Sequence, residues 1–74
     1  MNKIKPGIYE HYKGKKYRVI GVAKHSESLE TLVIYEALYD NPESKFWVRP
    51  LNEFVEEIIW PDKTQKPRYN FLHE

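Results

Sequence analysis

Three residues with reactive side chains stand together in "KHSESLE" (24–30): His25, Ser26 and Glu27. Nucleophilic catalysis needs a serine Oγ bonded to an imidazole that a third group orients, with oxyanion donors nearby. Neighbours in sequence rarely aim their side chains at one another, and no nucleophile elbow surrounds Ser26. The string therefore reads first as a loop in which Ser26, Glu27 and Ser28 bond backbone amides. His25 with Glu27 is left as the one acid–base pair an enzyme could use. A zinc site would have to gather His11, His25 and His73, which lack any paired ligand spacing, so no metal or other cofactor is expected.

A second constellation is spread over strand ends: Tyr12, His25, Glu27, Tyr35, Trp47 and Arg49. A guanidinium among phenols, an indole and an imidazole suits a carboxylate, a phosphate or the edge of a base. Arg49 has an equally good structural use as an ion-pair partner of Glu27 or Glu53. At least half of the eleven aromatic side chains must be buried merely to fold so short a chain. "KGKK" (13–16), with Arg18 and Lys24, could hold phosphates, but without a strong net positive charge or an RNA-module motif it reads as a solvated hairpin tip.

These residues need elements to position them. "IYEHY" (8–12) alternates, and Gly14 marks a turn. "YRVIGVAKH" (17–25) is β-branched, with Gly21 where a strongly bent strand wants no side chain. In "TLVIYEALY" (31–39), Val33, Tyr35, Ala37 and Tyr39 share one face and Leu32, Ile34, Glu36 and Leu38 the other. This third strand is expected to be central, with both Val33 and Ile34 mostly buried. "FWVR" (46–49) is a strand stopped by Pro50. "LNEFVEEIIW" (51–60) fits a helical stripe and also has strand preference, and is read as a helical turn over 51–54 followed by a strand. "PDKTQKP" (61–67) reads as a loop and "RYNFL" (68–72) as a terminal strand. Five or six short antiparallel strands with one helical turn predict an all-β, small closed barrel filling a single domain over 1–74. In an antiparallel meander His25 and Arg49 come out on the same side, with Glu27 and Tyr35 close by.

Composition narrows the function classes. Without cysteine there is neither a disulfide framework nor a thiolate metal site. "MNKIKPGIYE" has no apolar core of a secretory signal, and no run is long enough to span a membrane, so a soluble cytoplasmic protein is expected. The net charge of +1 gives no global case for nucleic acid. The charge is uneven, however: residues 1–24 hold seven Lys/Arg and one acid, residues 25–74 five and ten.

Five segments, "GIYEHYKGKKY", "VAKHSES", "LVIYEALY", "FWVRPLNEF" and "KPRYNFL", occur in an order that resembles the bacterial family called domain of unknown function 1653. The resemblance covers nearly the whole chain and implies an SH3-like barrel, without implying an activity. Ser28 stands where that family usually has threonine, and Glu36 where a basic residue is common. The functional expectation is a non-enzymatic binding module whose unknown ligand, a protein segment or an anionic small molecule, meets Tyr12, His25, Glu27, Tyr35, Trp47 and Arg49. A nucleic-acid-associated accessory domain is the alternative, ahead of a small enzyme using His25 and Glu27.

Overall fold

The computed structural model describes residues 4–74. Its chain order is β1 (Gly7–His11), β2 (Lys16–Lys24), β3 (Thr31–Ala37), β4 (Phe46–Pro50), α1 (Leu51–Phe54), β5 (Glu57–Ile59), β6 (Gln65–Pro67) and β7 (Tyr69–His73). Two antiparallel sheets result: five strands in the order β4-β3-β2-β1-β7, and the hairpin β5-β6. The all-β expectation holds, including the helical turn over 51–54 and the strand after it. Residues 61–67, read as loop, contribute one strand more. Asp62 makes the tight turn there, accepting from the Thr64 amide at 3.1 Å and hydroxyl at 2.6 Å, and Gln65–Pro67 then pairs back onto β5. No helix among the described residues is long and apolar enough to cross a membrane.

Period-2 alternation sets what each strand buries. On β3, Val33, Tyr35 and Ala37 are buried while Ile34 and Glu36 are only partly covered. β3 is paired on both sides, but the core covers only one face of the sheet, so Ile34 reaches the outer, half-solvated face instead of a second core. The pairing of β2 with β3 slips between Val19 and Gly21, a bulge at the glycine-marked bend. Nothing lies within 4 Å of where a Gly21 Cβ would sit, so the glycine eases the bend and does not clear room for a neighbour.

Pro50 stops β4 and opens α1, whose single turn drops Phe54 onto the inner face of the sheet. Phe54 is fully buried, stacked on Tyr69 at 4.1 Å and edge-on to Tyr9 at 5.5 Å. Tyr9, Val19, Val33 and Tyr35 complete this core. Half of it is therefore tyrosine, and a buried phenol requires a partner. Tyr9 donates to the Lys5 carbonyl at 2.8 Å, while Tyr35 and Tyr69 bond each other at 3.2 Å. The β5-β6 hairpin is tied to the sheet through residue 68. The Arg68 amide donates to the Glu56 carbonyl at 2.8 Å, and its guanidinium meets the Glu56 carboxylate at 2.7 Å.

Candidate functional site: a tyrosine-walled basic cavity

Strand register collects the site. Val19 of β2 faces Tyr35 of β3, which faces Trp47 of β4; one step along, Val33 faces Arg49. On the other side, Tyr9 faces Tyr17, and His11 faces Tyr69 across the pairing of β1 with β7. Alternate residues of five strands thus project to the same side of the sheet. Beyond the Phe54 plug they surround an open cavity of about 470 Å³. Tyr17, Tyr35 and Tyr69 line it together with His11, Trp47 and Arg49, and Tyr12, Lys13, Lys15, Tyr39, Asn41 and Arg68 stand around them. No carboxylate is among these lining residues.

The walls are a web of edge-on rings. Tyr17 lies 5.2 Å from Tyr35, 5.5 Å from Tyr39 and 5.6 Å from Tyr69. The hydroxyls pair off: Tyr17 with Tyr39 at 2.8 Å, and Tyr35 with Tyr69 at 3.2 Å. Each pair contains two O–H groups and needs only one for the mutual bond, so each keeps one donor in surplus. Asn41 adds an N–H to the Tyr39 oxygen at 3.2 Å, which does not relieve that surplus. Burial, with the neighbouring phenols, pushes the Tyr17 and Tyr69 pKa values well above the ordinary one, keeping both groups protonated donors at neutral pH.

Arg49 lies 5.6 Å from the Tyr69 ring and makes a 3.5 Å ion pair with Glu53, one helical turn on. Its Nε–H is buried without an acceptor. Burial works against the charge, but the Tyr35 and Tyr69 hydroxyls beside the guanidinium outweigh it and raise the pKa above its ordinary value. His11 contacts Tyr12 at 4.5 Å and Tyr69 at 4.8 Å. Its Nδ1 accepts from the Lys13 amide at 3.2 Å, which leaves the proton of the neutral ring on Nε2. Burial, then the charges of Arg49, Lys13 and Arg68, lower its pKa from 6.5 to about 4. His11 is accordingly neutral at pH 7.

Of the six residues singled out from sequence, the fold brings Tyr12, Tyr35, Trp47 and Arg49 to this cavity. His25 and Glu27 do not line it. They occupy the exposed connection between β2 and β3, where His25 Nδ1 accepts from the Glu27 amide at 3.1 Å and the Ser28 amide at 3.3 Å. The turn closes through His25 N–H to the Glu30 carbonyl and Leu29 N–H to the His25 carbonyl, with Leu29 at φ 63°. His25 thereby shapes the loop along with Ser28, whose Oγ accepts from Glu30. The expected approach of His25 and Glu27 to Arg49 is corrected: the imidazole beside Arg49 is His11, and the carboxylate is Glu53. A simple meander of β1 to β4 leaves out β7. That strand enters beside β1 and carries Tyr69 to His11.

Tyr17, Tyr69 and Arg68 are not singled out by sequence, whereas Lys13 and Lys15 belong to the "KGKK" tip already weighed as a phosphate holder. The alternation Tyr9/His11 and Tyr17/Val19 was a usable signal for an inward-facing row, whereas nothing local announces that residue 69 sits opposite residue 11.

A family model described as "Protein of unknown function (DUF1653)" matches residues 7–71, and the chain belongs to that family. A crystal structure of a protein of the same family from Bordetella bronchiseptica is similar, with 30% sequence identity and a TM-score of 0.88. The likeness covers 96% of this chain and 90% of that one. No curated protein matches the chain.

Proposed function

We propose that the protein is a non-enzymatic binding module that takes an anionic group into the cavity between β1, β2, β3, β4 and β7. One observation carries this reading: the lining offers donors in surplus and no carboxylate to receive them. The surplus comprises one phenol O–H from each tyrosine pair, the Arg49 Nε–H and the His11 Nε2–H. The Arg49 Nε–H is buried without an acceptor, which costs about 1–3 kcal/mol, and an oxyanion in the cavity would gain charge-assisted bonds from the donors around it. Catalysis has weaker support. A neutral His11 flanked by three cations is a poor base, and no lining carboxylate orients it.

The reading is tested by titrating isotope-labelled protein with inorganic phosphate and with acetate while following backbone amides. Amides of His11, Tyr17, Trp47 and Tyr69 should shift, and those of residues 25–30 should not. Arg49→Gln should abolish the shifts while the thermal melt stays within a few degrees of the parent. Shifts confined to the loop around His25, or none at the cavity at tens of millimolar anion, would refute the proposal.

A further inference from the structure

We infer that the anion is a phosphate monoester carried by a flat aromatic ring, that is, a mononucleotide; this rests on the anion-binding reading above. Donor number comes first. Two phenols, the Arg49 fork and the His11 Nε2–H converge on the cavity, and Lys13 and Lys15 stand at its mouth on the β1–β2 turn. A carboxylate presents two oxygens with about four lone-pair sites, whereas a phosphate monoester presents three strongly accepting oxygens.

Charge points the same way. Arg49 is shared with Glu53 and Arg68 with Glu56. Lys13 and Lys15 have no acidic partner among the described residues; each ammonium lies over a tyrosine ring instead, Lys13 at 5.8 Å from Tyr12 and Lys15 at 4.9 Å from Tyr39. Two uncompensated cations match the charge of nearly −2 on a phosphate monoester at pH 7.

Space supplies the rest. At about 470 Å³ the cavity is of small-molecule size and much larger than a phosphate ion requires. Flat rings line the cavity, Tyr12 and Trp47 among them. Trp47 is held in place by its indole N–H, which donates to the Ser44 carbonyl at 3.1 Å, and Tyr12 is backed by the His11 ring. Ring stacking beside basic phosphate contacts is a common way for proteins to hold nucleotides, since every base offers a flat face to an aromatic side chain. The phosphate could belong to a free nucleotide or to the end of a single strand, since the chemistry recognised is the same.

Calorimetry on the full chain at fixed ionic strength separates the outcomes. The probes are inorganic phosphate, adenosine, adenosine 5′-monophosphate, benzoate, and a short single-stranded oligonucleotide with and without a 5′-phosphate. The monophosphate should bind at least tenfold more tightly than phosphate, adenosine or benzoate. Trp47→Ala should weaken the monophosphate at least tenfold more than it weakens phosphate, and Arg49→Gln should remove binding of both. A 5′-phosphorylated oligonucleotide that matches or exceeds the monophosphate assigns the site to strand ends; one that binds far more weakly assigns it to free nucleotides. Equal affinity for phosphate and the monophosphate would overturn the inference and leave the anion reading standing, as would a preference for benzoate. Oligonucleotide binding that ignores the terminal phosphate would also overturn it. Failure of every anion would remove both.

Discussion

Replacing His11 by glutamine should flatten the response of this protein's stability to acid. In the unfolded chain an imidazole titrates near 6.5; in the fold His11 titrates at about 4. Its folded pKa is depressed, so between these values the unfolded chain binds more protons, and acid favours unfolding. The contribution of neutral His11 is complete above pH 6.5 and is lost as the pH falls through about 4. Each pK unit corresponds to 1.36 kcal/mol, which would make the full effect about 3 kcal/mol. The ring is only partly buried, so solvent screens Arg49, Lys13 and Arg68, and about 2 kcal/mol is the realistic expectation. For a small domain with about 5 kcal/mol in total, that is a large share. Urea unfolding of the parent and His11→Gln at pH 7 and pH 4 measures it. Carboxylates titrate in both proteins, so the parent should lose about 2 kcal/mol more than the variant. Parallel losses would show that His11 is not held neutral by the fold, and the account of its burial beside Arg49 would be wrong.

Other expectations concern the core and the backbone. Phe54→Ala should cost about 3–5 kcal/mol, since it removes the ring stacked on Tyr69 beneath the cavity; a denaturant midpoint near that of the parent would contradict the packing. Val33→Ala should cost about 2 kcal/mol and Ile34→Ala clearly less, because only Val33 is wholly enclosed. Gly7→Ala should destabilise by more than 1 kcal/mol, with φ at 150° and the added Cβ only 2.8 Å from the His73 carbonyl oxygen, whereas Gly21→Ala has open space and should be near neutral in the same melts. In alkaline absorbance titrations Tyr9, Tyr17 and Tyr69 should ionise above 10.0, burial being the leading cause for each. Their folded pKa values are raised, so the stability they contribute is complete below pH 10.0 and fades above it; three phenols titrating normally would refute the buried tyrosine web.

Sequence by itself determined what is local. Alternation in "TLVIYEALY" assigned Val33, Tyr35 and Ala37 to the buried face because side chains on a strand repeat every two residues. Gly14 and Pro50 marked a turn and a strand end, through the φ freedom of one and the missing N–H of the other. The polar run 24–30 was legible as a shaped loop, even though His25 proved to be one of its shapers. Tyr12, Tyr35, Trp47 and Arg49 could be named in advance because donor and ring chemistry resides in residue type. Which imidazole joined them could not. That depended on β7 pairing with β1, which sets Tyr69 opposite His11 from far along the chain. No short-range pattern encodes such a pairing; the burial of Phe54 against Tyr9 and Tyr69 decides it, and only in the assembled core do those rings meet. The pKa of His11, the surplus phenol donors and the cavity itself follow from that long-range contact, because burial and proximity are properties of the tertiary structure.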